Sequence, residues 1–340
     1  RLCFLTVAGG SLFSTLTGSS MANTAMLGSL MVPEMQKRGY NWQMSMGPIL
    51  GTGGLAMIIP PSALGVLLAS VASIDVGQLL IAGFVPGFLL AGLYSIMILL
   101  QLKMNPESAP AYDVEMPPMA ERIKLVCINI LPMGVIVFMV VGFIIFGWAT
   151  PTEAAAFGIF GVVIVAAAFR VLTFTALKTA VEATVKVGAM VFFIIMSSTV
   201  FSQLLAFSGA SAGLLKWAIS FELDKYWILL LMFFILIALG MFMDATSMML
   251  ITVPIFFPLA EQLGFNLIWF GLFVLMTFEM AGTTPPFGLL LYVMLGVAPK
   301  GTTLYQVAAS AFPYLVCDAI LILMMVQWPQ IALWLPSLMN

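Results

Sequence analysis

The chain has 340 residues, of which 62% are hydrophobic and only 8% are charged, and its formal net charge is −2. A soluble domain carries about 25% charged residues, so this composition excludes a water-soluble globular protein. The nearly neutral charge gives no basis for binding nucleic acid, and the absence of histidine excludes enzymes that need a histidine base. Several apolar runs reach the length of about 20 residues that a membrane-spanning helix needs, so we expect an all-α polytopic protein of the lipid bilayer.

The first part of the chain, residues 1–102, is predicted to be one copy of a repeated unit. Its predicted elements are a helical hairpin (1–37), a broken helix (44–72) and a membrane span (79–102). The hairpin turns at LTGSSMANTAM (16–26), where small polar residues interrupt an apolar run. Backbone groups at membrane depth need polar partners, so this cluster predicts the tip of a re-entrant hairpin. An unwound break is predicted at GTGGLAMIIPPS (51–62), because proline removes a helix hydrogen bond and glycine permits unusual backbone angles.

Residues 103–124 are charged and rich in proline, and they are predicted to form a cytoplasmic connector to the second copy, residues 125–340. The predicted elements of that copy are spans within 125–207, a hairpin (227–263), a broken helix (267–296) and a final span (306–328). The second hairpin has its polar tip at GMFMDATSMM (240–249), and the second helix is interrupted at FEMAGTTPPFG (278–288). Interrupted helices at matching positions of two halves indicate a transport site near the middle of the membrane.

An internal duplication relates the two copies. An offset of 225 residues aligns Pro33 with Pro258, Pro60 with Pro285, and Ser19 with Asp244. The end of the hairpin is basic in the first copy and not in the second, so the positive-inside rule predicts that the two ends face opposite sides of the membrane. Such an inverted-topology repeat is typical of secondary transporters. The apolar segments before the second hairpin have no counterpart in the first copy, so we expect that about 100 N-terminal residues of the complete repeat are missing.

A few single residues stand out against this apolar background. Asp244 lies at a predicted membrane depth, where insertion of a charged side chain costs about 2.5–3.5 kcal/mol, so we expect it to be a sodium ligand or a helix cap. Glu279 is interpreted either as functional or as a brace for the second broken helix. Glu153 follows a Pro-Thr pair in a helix-start pattern, and Asp318 in the final span has no explanation from the sequence. The three cysteines stand far apart and predict no transition-metal site.

Taken together, the motifs resemble those of the large membrane subunit (permease) of TRAP transporters, the tripartite ATP-independent periplasmic transporters. The segments that carry the resemblance are GSSMANTAMLGSLMVPEMQKRGY, GTGGLAMIIPPS, PTEAAAFG, GMFMDATSMMLITVPIFFPLA and EMAGTTPPFGLLLYV, in this order along the chain. The resemblance implies an elevator-type, sodium-coupled importer of organic acids in the bacterial inner membrane. It also implies two partners, a small membrane subunit and a periplasmic substrate-binding protein, and no tightly bound cofactor besides Na⁺ as the coupling ion.

The resemblance also implies candidate binding residues at the two hairpin tips and the two breaks. The candidate sodium-binding residues are Ser19, Asn23, Gly53, Gly54, Pro60, Asp244, Gly282, Thr283 and Pro285. The candidate substrate-binding residues are Ser19, Ser20, Asn23, Thr246 and Thr284. In this hypothesis each tip and its facing break hold one sodium ion, and the substrate carboxylate lies between the two tips.

Charge considerations favour sodium coupling. Moving one charge across a membrane potential of 100 mV changes the free energy by about 2.3 kcal/mol, so importing a dicarboxylate alone into a negative interior is unfavourable. Two sodium ions neutralise the charge of the dicarboxylate. A third sodium ion makes the membrane potential drive uptake. The chain has no nucleotide-binding loop that would indicate ATP as the energy source. The main alternative is a sodium- or proton-coupled carboxylate symporter that needs no binding protein. An ion channel is less favoured because the polar groups cluster at one depth and form no continuous polar stripe. An intramembrane protease with Asp244 and Asp318 as its aspartyl pair is disfavoured because no Gly-x-Gly-Asp context surrounds either residue.

Overall fold

The computed structural model describes residues 1–110, 118–209, 213 and 223–338, and every regular element among them is a helix. Part of the predicted connector (111–117) and most of the segment before the second hairpin (210–212 and 214–222) lie outside the described residues. In the described part, five helices are long and apolar enough to cross a membrane, and a bent pair makes a sixth span. The expectation of an all-α membrane protein is therefore confirmed.

The helices follow one another with short connections. The first six are α1 (Leu2–Thr17), α2 (Ser20–Lys37), α3 (Trp42–Ile58), α4 (Ala63–Ala72), α5 (Val76–Ala82) and α6 (Phe84–Met104). The next three are α7 (Met119–Ile145, with two π-helical stretches), α8 (Pro151–Ala168) and α9 (Phe174–Phe207). The last six are α10 (Lys225–Gly240), α11 (Ala245–Gln262), α12 (Leu267–Thr283), α13 (Leu289–Val297), α14 (Leu304–Gln327) and α15 (Gln330–Leu333).

Contacts divide the chain into two compact units. The larger unit contains residues 1–112 and 201–338, and it includes both hairpins and both broken helices. The smaller unit contains residues 113–200. Within the smaller unit, Thr150 and Glu153 form a reciprocal capping box at the start of α8, which confirms the helix-start pattern read at this position.

The duplication is visible in the helix bounds. Helices α2 and α11 each have 18 residues, helices α3 and α12 each have 17, and each pair is displaced by the predicted offset. The residues that cap these helices correspond as well, because Ser19 aligns with Asp244 and Asn41 with Asn266, and all four accept backbone hydrogen bonds. Asn, Asp and Ser are the preferred residues at this position, so the same local chemistry starts both helices in each copy.

The two broken helices form the centre of the larger unit. Helix α3 buries every residue from Met44 to Ile58, and α12 buries every residue from Ile268 to Ala281. Helix α3 packs against α1, α2, α6, α12 and α14. A helix that is apolar on all sides must be surrounded by other helices. The first break is largely buried, whereas Pro285, Pro286 and Phe287 of the second break are exposed.

The expectation that the glycines of the first break unwind the chain is wrong. Helix α3 continues through Gly51–Gly54 to Ile58, and only four residues separate it from α4, which leaves at an angle of 41°. Glycine in a helix lowers its stability but keeps the N–H donor, whereas Pro60 and Pro61 have none, so the helix ends at the prolines. The second helix likewise continues through Gly282 to Thr283. The Pro60–Pro61 and Pro285–Pro286 peptide bonds are both cis.

Candidate functional site

The tip of the first hairpin lies against the first break. Helix α1 ends at Thr17 and is followed by Gly18, which has a left-handed backbone (φ 55°). Ser19 then caps α2 by accepting a hydrogen bond from the backbone nitrogen of Ala22 at 3.4 Å. A β-carbon on Gly18 would lie 3.0 Å from the carbonyl oxygen of Pro61 and 3.2 Å from the nitrogen of Ala63. The close approach of the tip to the break therefore needs glycine at this position.

One face of α2 directs oxygen atoms towards α3. Ser20, Asn23 and Thr24 are spaced i, i+3 and i+4, and all three side chains are buried. The amide nitrogen of Asn23 donates to Ser14 Oγ at 2.7 Å and to the carbonyl oxygen of Thr52 at 2.9 Å. Asn23 Oδ1, Ser20 Oγ and Thr24 Oγ1 have no hydrogen-bond partner among the described residues. We call Ser20, Asn23 and Thr24 the oxygen cluster.

The oxygen cluster packs against Gly53. The hydroxyl of Thr24 occupies the space that a β-carbon on Gly53 would need, and the backbone oxygen of Ser20 lies 3.6 Å from that position. Thr24 is absent from the residues predicted from the sequence, although its position one turn after Ser20 could have indicated it. Buried oxygen atoms without donors are rare in proteins, and oxygen atoms are the ligands that hard cations prefer.

The second tip is organised by Asp244. Its Oδ2 accepts hydrogen bonds from the backbone nitrogens of Thr246 (2.9 Å) and Ser247 (3.2 Å), and its Oδ1 accepts one from Ser247 Oγ (2.5 Å). The predicted cap role of Asp244 is therefore confirmed, and Ser247 is a partner that the sequence did not reveal. The second tip also lies against the second break, because the rings of Phe242 and Phe287 are 5.7 Å apart.

The second break frees backbone oxygen atoms. Pro285 and Pro286 have no N–H, so the carbonyls of Ala281 and Gly282 lose the donors that a continuous helix would supply. Ala281 accepts instead from the backbone nitrogen of Thr284 at 3.2 Å. The carbonyl of Gly282 is thus the group that matches the predicted role of unwound backbone as a cation ligand.

The remaining predicted residues divide between the tips and the core. Thr246 and Thr284 are half-buried at the second tip and the second break, and the Thr284 hydroxyl donates to the carbonyl oxygen of Met280 at 2.6 Å. Thr283 is buried, and its hydroxyl donates to the same oxygen at 3.1 Å. Gly54 faces away from the first tip, because a β-carbon there would overlap the carboxyl group of Glu279.

The acidic residues do not form an aspartyl pair. Among the described residues, the hydrogen bonds to Asp244 come from its own helix start, whereas Asp318 accepts one from the hydroxyl of Tyr94 in the core. The structure therefore does not support an intramembrane protease, which would need these two aspartates to act as a pair.

Comparison with known proteins gives one consistent family. The family model described as "Tripartite ATP-independent periplasmic transporter, DctM component" matches residues 2–331. The chain is 30% identical to the C4-dicarboxylate TRAP transporter large permease protein DctM of Rhodobacter capsulatus, over 97% of this chain and 77% of that protein. It is 26% identical to the ectoine TRAP transporter large permease protein TeaC of Halomonas elongata, over 99% of this chain and 78% of that protein.

Two further similarities are more distant. The sialic acid TRAP transporter permease protein SiaT of Haemophilus influenzae is 24% identical, over 98% of this chain and 53% of that protein. Among solved structures, the YdaH transporter of Alcanivorax borkumensis, described as having an unusual topology, matches with a TM-score of 0.50 and 15% identity. The match covers 95% of this chain and 86% of that one, and it shows a shared fold.

Proposed function

Because the chain belongs to the DctM family, the large permease component of tripartite ATP-independent periplasmic transporters, we propose that it imports a small organic acid coupled to a sodium gradient. It is a multi-pass membrane transporter subunit and not an enzyme. In this proposal it lies in the bacterial inner membrane, binds a small membrane subunit, and receives its substrate from a periplasmic binding protein.

The observation that carries sodium coupling is the oxygen cluster. Ser20 Oγ, Asn23 Oδ1 and Thr24 Oγ1 are buried and have no hydrogen-bond partner in the part of the chain that the structure describes. Each unsatisfied buried polar atom costs about 1–3 kcal/mol. A sodium ion coordinated by these atoms removes that cost without requiring a charged side chain. The first sodium site of the proposal is this cluster with Ser19 and the adjoining break at Pro60.

The second sodium site of the proposal lies between the second tip and the second break. Its ligands are the carbonyl of Gly282 and neighbouring oxygens of Thr283, while Asp244 supplies the negative charge. Asp244 accepts three hydrogen bonds from its own helix start, so in this proposal it contributes to the site mainly through its charge. Pro285 keeps the break open by withholding its N–H.

The substrate is proposed to bind through its carboxylate between the two tips. The relatives named above transport a C4-dicarboxylate, ectoine or sialic acid, and all of these carry a carboxylate group. Helices α2 and α11 begin at the tips, and the positive end of a helix dipole attracts an anion. Ser19 and Asp244 bind only some of the first backbone N–H groups of these helices. Ser19, Ser20, Asn23, Thr246 and Thr284 supply the hydroxyl and amide groups around it.

The transport cycle follows from the same elements. The hairpins and broken helices all belong to the larger unit, so we propose that they move together as the transport domain of an elevator-type cycle. The two copies have opposite orientation in the membrane in this proposal, which gives each side of the membrane one hairpin as a gate.

The test is uptake by the full-length permease with its small subunit in proteoliposomes. The binding protein is loaded in turn with a C4-dicarboxylate, ectoine and sialic acid, and an inward sodium gradient is imposed. Thr24→Val removes one unpaired oxygen at nearly constant volume, and we expect it to raise the sodium concentration for half-maximal uptake. Thr277→Val is the matched control, because Thr277 is equally buried but its hydroxyl already donates to the carbonyl of Phe273 at 2.8 Å.

Each proposed component has its own contradicting result. Uptake that proceeds without sodium overturns the coupling, and uptake that proceeds without the binding protein favours the symporter alternative. Identical sodium dependence in Thr24→Val and in the control removes the oxygen cluster from the sodium site and leaves the family assignment intact.

A further inference from the structure

An apolar groove lies on the surface of the larger unit, between α10, α12 and α14. It has a volume of about 390 Å³. Its two walls are rows of residues on α10 and α14, namely Tyr226, Leu230 and Phe233, and Ala319, Leu323 and Val326. Phe273 of α12, which is 2% exposed, also lines it. Only Tyr226 and Trp227 among its lining residues carry polar side-chain atoms, so the rest of the groove is hydrocarbon.

The groove runs along the helices for about two turns. Residues spaced i, i+4 and i+7 follow one face of a helix, and seven residues span about 11 Å. The ring of Tyr226 is 6.2 Å from that of Phe265, just before α12. In the first turn of α12, Trp269 Nε1 donates to the carbonyl oxygen of Met325 at 3.0 Å. The start of α10 and the end of α14 therefore lie at the same end of the groove.

This end of the groove carries aromatic rings and a cation. Lys225 Nζ lies 5.3 Å from the ring centroids of both Tyr226 and Phe265, and Trp227 is 62% exposed. Trp and Tyr are enriched where a membrane meets water, and lysine near that surface attracts anionic headgroups. The ion pairs found in the described part of the chain do not include Lys225, and Asp224 Oδ1 accepts from the backbone nitrogen of Tyr226 at 2.9 Å. The ammonium group of Lys225 can therefore bind an anion at the mouth of the groove.

The internal duplication shows that the groove belongs to the second copy. The offset of 225 residues pairs α10 with α1 and α14 with α6. Helix α1 packs directly against α6, whereas α10 and α14 make no comparable contact in the described part of the chain. Leu323 is 67% exposed, but its counterpart Ile98 is fully buried, and the counterpart of the small Ala319 is the buried Tyr94. Protein side chains thus close in the first copy the space that is open in the second.

A lipid chain suits this groove better than a protein helix. An α-helix with its side chains is about 10–12 Å wide, so a helix as long as the groove would need at least about twice its volume. Below the aromatic end the walls offer apolar surface and no polar side-chain group, which favours methylene groups. The cation at the mouth matches the phosphate of a lipid headgroup.

We propose that the groove binds one acyl chain of an anionic phospholipid, with the headgroup phosphate bound by Lys225. The chain lies along α10 and α14 and covers Phe273. Because α10 is the first helix of the second hairpin, the lipid contacts that hairpin and has no equivalent at the first. The inference requires only that the protein spans a membrane, so it does not depend on sodium coupling.

The test counts bound lipid. Native mass spectrometry is applied to the purified full-length permease with its small subunit, after phosphatidylglycerol or phosphatidylcholine is added in detergent. Ala319→Phe fills the groove, and we expect it to retain one phosphatidylglycerol fewer than wild type. Ile320→Phe is the matched control, because Ile320 is the next residue of α14, is 41% exposed and does not line the groove. It should retain as much lipid as wild type.

A second variant covers the case in which Ala319→Phe does not fold. Lys225→Gln leaves the groove open but removes its cation, and we expect about fivefold weaker binding of phosphatidylglycerol with unchanged binding of phosphatidylcholine. Lys300→Gln is the control for the loss of a positive charge elsewhere. Equal lipid retention in Ala319→Phe and Ile320→Phe, or an unchanged preference for phosphatidylglycerol in Lys225→Gln, overturns the inference. Cross-linking of Leu323→Cys to the small subunit would also overturn it, since the groove would then be a protein interface.

Discussion

The hydroxyl of Thr24 lies in the space that a side chain on Gly53 would occupy. Thr24 belongs to the helix that leaves the first hairpin tip, and Gly53 belongs to the first broken helix, so this contact joins the two elements of the proposed sodium site. The contact exists only because residue 53 has no β-carbon. It also explains why the glycines of α3 differ in role, since Gly53 faces the hairpin while Gly54 faces Glu279.

Replacement of Gly53 should separate these elements. In Gly53→Ala the added carbon displaces the Thr24 hydroxyl, and overpacking of this kind costs about 1–3 kcal/mol. We expect the sodium concentration for half-maximal uptake to rise by about tenfold. Gly92→Ala on α6 is the control, because nothing lies within 4 Å of a β-carbon there and alanine favours the helix. Equal sodium dependence in the two variants would contradict the assignment.

Asp244 caps α11 and also carries a negative charge, and substitutions should separate these two roles. Asparagine caps a helix about as well as aspartate, so Asp244→Asn should retain the thermal stability of wild type while its sodium-dependent uptake falls. Asp244→Ala should lose both uptake and about 1 kcal/mol of stability. Asp224→Asn is the matched control, since Asp224 caps α10 in the same way at an exposed position. Sodium-dependent uptake that survives in Asp244→Asn would make this residue purely structural.

Asn23 should be more important for stability than any other residue of the oxygen cluster. Its amide nitrogen donates hydrogen bonds to Ser14 Oγ on α1 and to the carbonyl oxygen of Thr52 on α3. Asn23→Ala therefore leaves these two buried acceptors without this donor. We expect a loss of about 1–3 kcal/mol, measured as a lower midpoint of thermal unfolding in detergent. Ser29→Ala on the exposed side of α2 removes only a hydrogen bond to Met26 and should leave the midpoint unchanged. Equal midpoints in both variants would show that the Asn23 bonds contribute little.

The capping box of the smaller unit should affect stability without affecting sodium. Thr150→Ala removes the hydroxyl that accepts from the backbone of Glu153, and the loss of such a cap costs about 1 kcal/mol. The sodium dependence of uptake should stay that of wild type, because the proposed ion sites all lie in the larger unit. Thr184→Ala, an exposed position within α9, is the control for stability. A change in sodium affinity in Thr150→Ala would indicate that the smaller unit influences the ion sites.

The sequence predicts most of what depends on local chemistry. The starts of α2 and α11 follow from Ser19 and Asp244, because cap residues act on backbone groups two or three positions away. The ends of α3 and α12 follow from prolines, which act on the preceding turn. Because the two copies are related by a constant offset, a cap or a proline found in one copy also predicts a helix start or end in the other copy.

The part of the fold that depends on distant contacts could not be predicted in this way. Tyr94 meets Glu279 across 185 residues and Asp318 across 224, and no local pattern indicates such a meeting. The glycines of α3 were misread for the same reason, since the partner that needs their missing side chains lies on another helix. Packing between helices, and not backbone preference, decides whether a glycine marks a break or a close approach.

The equal length of the duplicated segments has a consequence for how this chain can evolve. The stretch from Ser19 to Ile58 and the stretch from Asp244 to Thr283 have the same number of residues, whereas α4 and α13 have ten and nine. One inserted residue rotates every later side chain of a helix by about 100°, which would turn a whole glycine face away from its neighbour. An insertion or deletion inside either stretch is therefore expected to disrupt the packing of α3 or α12. The equal lengths place the caps at Ser19 and Asp244 at the same distance from the ends of α3 and α12.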